Sequence, residues 1–467
     1  MSGANLLPGT RDSDRKTLVR HALSQGPRPV DELLAVLQVS QATFSRTIQE
    51  FGGEVIRFRE PGVRTPRYAL VRTEPVPTPQ PIFRVSEDGR VAEIGAVNFL
   101  RGGTWVDLGG PDSRLHEGLP PAMAFAAPSG YLGARIAKVV AREIGVPFSL
   151  RDWSDDHRVK FLCSVGSDVA GSLMWGASSF AAHMASRQVP PIATADIPRA
   201  YQDLANATSQ TGIGSSAGGE EPKFTCETEA KGHLIVKFAR AGTRSSEMLI
   251  LEELALRALG ESGMPAAPAC YFEMEEYGFL EVERFDRIGR FGRRGMISAG
   301  AIDDELFGMR DNWPSFAQRC EEAGMIGPGS VRRILVLTAF SELIGNGDRH
   351  FENLSLMTDE RGRPTEVSPA YDMLPMMYAP VGGGIEPPLR LVTPSFQSLG
   401  ARPDVWEQAF DAAHRFWTAA AADPRLSSEM REIGARNAQH IGEVVAPLLP
   451  VPEVPGRDSA GDTKQPH

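Results

Sequence analysis

The sequence predicts an α+β chain: a small basic head, a β-rich middle, and a mixed remainder that ends in a mainly helical half. Three observations predict it. Residues 1–72 spell two helices, a tight turn, a third helix and a hairpin. Short alternating apolar runs follow from residue 82. Beyond residue 247, helical 3–4 spacing of apolar residues takes over.

Composition bounds the possibilities. The 467 residues are 42% hydrophobic and 23% charged, which suits a globular chain of two to four domains at roughly 100–200 residues each. The four cysteines (Cys163, Cys226, Cys270, Cys320) are scattered with no CxxC pair, which argues against a disulfide framework and a structural zinc site. The first residues hold no signal-peptide-like apolar stretch, and no apolar run reaches the ~18 residues of a membrane span. The expectation is a cytoplasmic protein with no membrane partner.

Charge divides the chain. Residues 1–72 carry eleven Lys/Arg against seven acids, a net +4; the rest carries 38 basic and 52 acidic residues, a net -14. A basic head on an acidic body suggests two tasks, one involving a polyanion.

In the head, SDRKTLVRHALSQG places Leu18, Val19, Ala22 and Leu23 at helical spacing and ends at Gly26-Pro27. PVDELLAVLQ repeats the pattern with Val30, Leu33, Leu34 and Leu37. Val39-Ser40 makes a tight turn with Ser40 as the N-cap. SQATFSRTIQEFGG then puts Phe44, Ile48 and Phe51 on one face and Gln41, Thr43, Ser45, Arg46 and Gln49 on the others. EVIRFREPGVRTPRYALVR is a hairpin around Pro-Gly, studded with Arg57, Arg59 and Arg64. The pattern is a winged helix-turn-helix over 1–72. Its third helix has the residue types that read base edges, and its basic hairpin suits phosphates. The competing reading is a solvated helix face in a winged helix used for protein contact.

TEPVPTPQP, 73–81, is Pro-rich and expected to be a stiff linker. The runs IFRV, VAEIGAVNFL and TWVDL mark a β-rich subdomain over 82–180, with SGYLGARIAKVVAREIG as a helix inside it. The Gly/Ser-rich stretch over 205–222 reads as a flexible linker or, standing directly before GHLIVKFA, as a phosphate-covering loop. Residues 181–295 and 296–449 are read as the two lobes of a further domain, with VRRILVLTAFSELIG as a core helix of the second. The tail 450–467 is expected to be disordered.

The most informative segment is IGNGDRHFENLSL, 344–356, in which Asp348 and Asn353 stand in a D-x4-N arrangement. Protein kinases use this spacing in the catalytic loop, where the Asp accepts the hydroxyl proton and the Asn binds a metal. SPAYDMLP supplies a second carboxylate, Asp372. One Asp and one Asn suffice for Mg²⁺ beside ATP phosphates, because this ion keeps several waters. The spacing alone recurs by chance: Asp348 also fits a turn and Asp372 an N-cap. Two more segments add weight. LIVKFA buries Lys237 in a β-branched strand, a costly position unless the ammonium meets an anion; an edge-strand lysine reaching solvent is the alternative. FLEVERFDR offers Glu283, Arg284 and Phe285 where a kinase hinge meets adenine, or is an ordinary strand end. No GxxxxGK[ST] is present, so the Gly-rich stretch is not a Walker A loop.

These residues resemble the HipA-type serine/threonine kinases, toxins of bacterial toxin–antitoxin systems. SSAGGEEPK, LIVKFA, VERFDR, GDRHFEN and YDMLP occur in the family's order, and the resemblance spans roughly residues 82–445. The fused N-terminal winged helix is similar to the YjjJ-like branch. The resemblance implies a protein-kinase-like domain with a mainly helical C-terminal lobe, using ATP and Mg²⁺. It implies Asp348 as catalytic base, His350 positioning the loop, and Asn353 and Asp372 on the metal. It further implies Lys237 on the phosphates and Glu283, Arg284 and Phe285 at the adenine. Ser215, Ser216, Ala217, Gly218 and Gly219 would form the phosphate loop, with Ser215 (or adjacent Ser216) autophosphorylated. Implied partners are a protein substrate, with an aminoacyl-tRNA synthetase or other translation component as the first place to look, DNA through the head, and a small antitoxin. Two departures stand out: Glu352 occupies a place where lysine is frequent, and EEPK replaces the usual QEK. The partner of Lys237 is open among Glu247, Glu252 and Glu253, with Glu252 favoured. The competing function is a DNA-binding regulator whose kinase-like domain is inactive or senses ATP; a small-molecule kinase is a third option.

Overall fold

The computed structural model describes residues 12–210, 222–382, 384–400 and 402–448. In the head, helices α1 (Asp12–Leu23), α2 (Val30–Leu37) and α3 (Gln41–Gln49) pack Val19, Leu23, Leu33, Leu37 and Phe44 into one core. Strands β1 (Arg28–Pro29), β2 (Val55–Phe58) and β3 (Arg67–Leu70) form an antiparallel sheet in the order β1-β3-β2. Gln38 ends α2 in the left-handed region (φ 51°), and its N–H donates to the Leu34 carbonyl at 2.9 Å. Ser40 then caps α3, accepting from the Thr43 N–H at 3.3 Å. The order of elements is that of a winged helix.

The head is not on a free tether. Phe58 stacks on Trp105 with centroids 4.5 Å apart, and both join a small core with Ala69 and Leu100. The Arg72 N–H donates to the Phe99 carbonyl at 2.8 Å, and the Arg101 N–H to the Leu70 carbonyl at 2.9 Å. The Pro-rich segment 73–81, expected as a spacer, bends and is packed: Val76 is buried, the Phe99 N–H donates to Thr78 Oγ1, and Gln80 already begins a strand.

The middle unit is a five-stranded antiparallel sheet, order β7-β6-β5-β4-β8, of β4 (Gln80–Val85), β5 (Val91–Leu100), β6 (Gly103–Asp107), β7 (Arg114–His116) and β8 (Leu173–Trp175). Four helices accompany it: α4 (Pro121–Ala126), α5 (Gly130–Ile144), α6 (Asp155–Ser164) and α7 (Ala177–Ser186). Of these, the sequence pattern reveals only α5. α7 runs across residue 180, where the sequence predicts a boundary.

After α8 (Ile197–Gln210), the strands β9 (Lys223–Thr228), β10 (Gly232–Arg240), β11 (Ala269–Met274) and β12 (Tyr277–Glu283) form an antiparallel sheet in the order β11-β12-β10-β9. One face packs Leu234, Val236, Phe238 and Phe279 against Tyr201 of α8. The opposite face packs against α9 (Arg244–Glu261). A hairpin of β13 (Arg287–Ile288) and β14 (Gly292–Arg293) leads to β15 (Gly295–Ser298). The helical half holds α10 (Ala299–Leu306), α11 (Trp313–Glu322) and α12 (Pro328–Ile344). β16 (Ser355–Thr358) and β17 (Pro364–Val367) complete a three-stranded sheet with β15, and α13 (Pro403–Ala422) and α14 (Ser428–Val445) end the described fold. Its core surrounds α12, whose residues Ile334–Ile344 are nearly all buried.

Candidate active site

Strand alternation decides where Lys237 points. Leu234, Val236 and Phe238 occupy one face of β10, so Lys237 and Ala239 face α9. There the Lys237 ammonium donates to both Glu252 oxygens, at 2.7 and 2.6 Å, and to Asp372 Oδ1. Lys237 and Glu252 are only 7% and 1% exposed. Of the three glutamates left open, Glu252 alone reaches the lysine: Glu247 pairs with Arg244 at 3.0 Å and Glu253 with Arg425 at 2.6 Å. Burial opposes the charge on Lys237, but the carboxylates of Asp372 and Glu252 outweigh it and raise its pKa, so it stays an ammonium. Burial also pushes Asp372 upward, but Lys237, and then Lys223, hold it below the usual carboxylate range. Glu252 is raised by burial, with Asp372 adding to the rise.

Asp372 itself sits in the left-handed region (φ 52°), a conformation that costs a non-glycine residue energy and that its surroundings must impose. On one side, the Ala370 N–H donates to the Pro265 carbonyl and the Ala267 N–H to the Ala370 carbonyl, both at 2.9 Å. On the other, the Tyr371 hydroxyl lies 2.7 Å from Ser355 Oγ and donates to the Glu352 carbonyl at 2.9 Å. The phenol thus ties the Asp372 turn to the 348–353 loop.

That loop begins where α12 ends. Gly345 takes φ 74°, and a Cβ there would collide with the Met377 sulfur. Asn346, 2% exposed, accepts the Asp348 N–H on Oδ1 at 3.0 Å. Phe351 is buried against Phe316, with ring centroids 5.4 Å apart. Asn353 Nδ2 donates to the Asp348 carbonyl at 2.9 Å and lies 3.5 Å from Asp348 Oδ2. The Asp348 carboxylate remains half-exposed, with His350 Nε2 at 3.7 Å from Oδ2. His350 Nδ1 is 3.4 Å from Glu352 Oε2, and Arg310 Nη1 donates to Glu352 Oε1 at 2.5 Å. The Glu352 hydrogen bond is the main cause that raises the His350 pKa. In return, His350 first, with Arg310 further on, depresses Glu352 to about 2. Asp348, and further on Asp372, add to the rise at His350.

At the end of β12 the three hinge candidates diverge. The Glu283 N–H donates to the Pro268 carbonyl at 2.9 Å. A proline has no N–H to return, so the ladder leaves the Glu283 carbonyl without its reciprocal bond. The Phe285 ring lies 5.7 Å from that of Tyr371. Arg284 is turned away: its guanidinium bonds Asp168 at 3.1 Å and Asp286 at 3.1 Å, and its N–H is committed to the His233 carbonyl. The neighbouring carboxylates thus hold its side chain. A cleft of about 430 Å³ here is lined by residues that include Lys231, His233, Glu283, Arg284, Arg287 and Arg290, but not Asp348 or Asn353.

Ser215, Ser216, Ala217, Gly218 and Gly219 lie outside the described residues. In the head, Gln41, Ser45, Arg46 and Gln49 are exposed on α3, and Arg57, Arg59 and Arg64 are exposed on β2 and the turn after it. Thr43 is half-buried and spent on the cap, its hydroxyl 3.0 Å from Ser40 Oγ.

Sequence reasoning missed Lys223. The β9–β10 register sets it directly opposite Lys237, so both lysines share a face, and both act on Asp372 and Glu252. Its signal was the lysine closing EEPK. Tyr371 and Arg310 were also missed; no local pattern marks either.

Among the described residues, no three His, Cys, Asp or Glu side chains cluster to hold a metal unaided. The donor types suit Mg²⁺ beside a phosphate: Asn353 spends its amide nitrogen on Asp348 and keeps Oδ1 as an acceptor, and Asp372 has Oδ2 beyond its bond to Lys237.

Comparison with known proteins adds five findings. Residues 76–184 match the family of the YjjJ-like toxin, middle domain, and residues 215–443 the HipA-like C-terminal domain. Toxin YjjJ of Escherichia coli (strain K12) is 30% identical over 435 residues, covering 90% of this chain and 96% of that protein. A chain from the Shewanella oneidensis MR-1 complex of HipA, HipB and operator DNA aligns with a TM-score of 0.52 at 16% identity, covering 77% of this chain and 95% of that one, which shows a shared fold. The Helicobacter pylori proinflammatory kinase CtkA aligns with a TM-score of 0.37 at 12% identity, over 50% of this chain and 91% of that one.

Proposed function

Because the chain belongs to the HipA-type toxin family, in its YjjJ-like branch, we propose that it is an ATP- and Mg²⁺-dependent protein serine/threonine kinase that inhibits growth. The observation that carries this reading is the convergence of Lys237, Glu252 and Asp372, from β10, α9 and the turn after β17, with Tyr371 tying that turn to the 348–353 loop through the Glu352 carbonyl.

In this reading Lys237, held by Glu252, meets the ATP phosphates, and Lys223 adds a second cation on the same face. Asp348 accepts the proton of the attacking hydroxyl, and Asn353 holds the loop closed through the Asp348 carbonyl. Asn353 Oδ1 and Asp372 would hold Mg²⁺, which would supply charge neutralisation to the phosphates. The unreciprocated Glu283 carbonyl and the Phe285 backbone face adenine. Autophosphorylation falls on Ser215 or Ser216; a phosphate there adds about two negative charges and opposes ATP docking. Proposed partners are a protein substrate, an aminoacyl-tRNA synthetase or other translation component first, a small antitoxin, and DNA. The exposed Gln41, Ser45, Arg46 and Gln49 and the arginines of the wing support the DNA partner.

The test is ATP-dependent mass gain of the purified full chain. Asp348→Ala should slow phosphate incorporation by about 10²–10⁴ through loss of the general base. Equal incorporation by both proteins, or none by either, ends the kinase reading. One observation favours a second reading, a DNA-binding regulator that senses ATP: Glu352 adds a carboxylate beside the loop where developing phosphoryl charge is least welcome. ATP binding without mass gain, together with DNA binding, selects it.

A further inference from the structure

Arg310 belongs to none of the sequence motifs of the site, yet its side chain ends on the D-x4-N loop. Its backbone sits in the left-handed region (φ 44°), where a non-glycine residue stays only if the fold holds it. The fully buried Asp303 does so. Asp303 Oδ2 accepts from the N–H groups of Met309 and Arg310, both at 2.8 Å. Its Oδ1 accepts from Arg319 Nη2 at 2.9 Å, and Arg319 also forks onto Asp311 at 2.9 Å. The turn after α10 is thus pinned from inside the helical half.

The guanidinium is fixed as well. Nε and Nη2 fork onto the two oxygens of Asp304, at 2.7 and 2.6 Å, which sets the plane of the group. Nη1 is left to meet Glu352 Oε1. The Arg310 Cζ lies 5.7 Å from the centre of the buried Phe351 ring. Gly300, in the first turn of α10, leaves room for this crossing: a Cβ there would overlap Glu352 Oε1 and come within 2.8 Å of Arg310 Nη1. Beyond Glu352 the series continues, with Oε2 at 3.4 Å from His350 Nδ1 and His350 Nε2 at 3.7 Å from Asp348 Oδ2. The backbone at His350 is held too, because its carbonyl accepts from Trp313 Nε1 at 3.3 Å. A half-exposed carboxylate on a flexible stem has many places to go; the forked arginine selects the one beside the imidazole.

We propose that Arg310 is a positioning residue for phosphoryl transfer: through Glu352 it holds the His350 imidazole beside Asp348, and so fixes the carboxylate that receives the acceptor proton. The proposal rests on the kinase reading above. It assigns Arg310 to the transfer step and not to the binding of ATP.

The test follows ATP-dependent mass gain of the purified full chain at several ATP concentrations. Arg310→Met should lower the rate at saturating ATP by about 10- to 100-fold, the order expected of a misplaced catalytic group, and leave the apparent KM for ATP within about twofold. Arg310→Lys, which can still meet Glu352, should recover part of the rate. Because Arg310 acts through Glu352, Arg310→Met should cost nothing further in a Glu352→Ala background. Gly300→Ala is the second probe: alanine suits a helix better than glycine, so the fold stays while the added methyl displaces the Arg310–Glu352 contact and slows transfer. Wild type that gains no mass overturns the kinase reading and this proposal together. An active wild type matched by Arg310→Met and Gly300→Ala, an effect confined to KM, or equal losses from Arg310→Met with and without Glu352 overturns this proposal alone.

Discussion

Replacing Lys237 with methionine removes one ammonium and leaves two carboxylates facing each other. The Lys237–Glu252 pair is buried on both sides, with donor–acceptor distances of 2.6 and 2.7 Å. Removing one partner of such a pair costs about 3–5 kcal/mol, because the remaining charge stays buried without compensation. The Asp372 side adds less, since its side chain is 31% exposed and solvent screens it. For a unit of this size, 3–5 kcal/mol lowers the melting midpoint by roughly 6–20 °C. The penalty carries a pH signature. Glu252 is raised already by burial, and without Lys237 it rises further. A carboxyl raised in the folded state binds its proton more tightly there than in the unfolded chain. Its contribution is fully present below the unfolded value of about 4.3 and is lost as pH rises through the folded value. The deficit of Lys237→Met should therefore be small near pH 4.5 and grow towards pH 8. Adding Glu252→Leu removes the stranded carboxylate and should recover much of the stability. Thermal melts of the three proteins across pH measure this. A single variant that melts within about 1 °C of wild type at pH 8, or a double variant that melts below the single, refutes the reasoning.

The other predictions address the loop and the head. Gly345→Ala places a Cβ against the Met377 sulfur at φ 74°, which should cost about 1–2 kcal/mol and shift the 346–353 loop; phosphate incorporation should fall while the α12 core stays folded by circular dichroism. Glu352→Gln removes the main cause of the raised His350 pKa, so the imidazole should titrate at lower pH in NMR; an unchanged titration would show that Asp348 and Asp372 hold it instead. Neutralising Arg57, Arg59 and Arg64 together should flatten the log–log salt dependence of DNA binding by about 0.9 for each phosphate that the wing no longer neutralises. An unchanged slope excludes the wing as a phosphate clamp.

Much of the fold was legible because its signals are local. The head's three helices follow from 3–4 spacing, and the Ser40 cap from its residue type and place. Three of the four helices around the middle sheet were harder: α4, α6 and α7 are short, and α6 buries residues on several faces, so periodicity fades. The head's docking through Phe58 and Trp105 joins residues 47 apart, and neither flank announces it.

The sequence alone supplied the chemical types and their order: a lysine within an apolar strand, the D-x4-N spacing, an aspartate between prolines, and a basic hairpin. Those depend on composition and on neighbours a few residues away, which a linear chain of residue names records in full. Only the tertiary structure decided which glutamate meets Lys237, that Lys223 stands beside it, and that Arg284 is claimed by Asp168 and Asp286. Each of these is a choice among distant side chains made by strand register and helix rotation. A shift of one residue turns a side chain to the opposite face, so the geometry of the whole sheet and its covering helix settles what residue order leaves open.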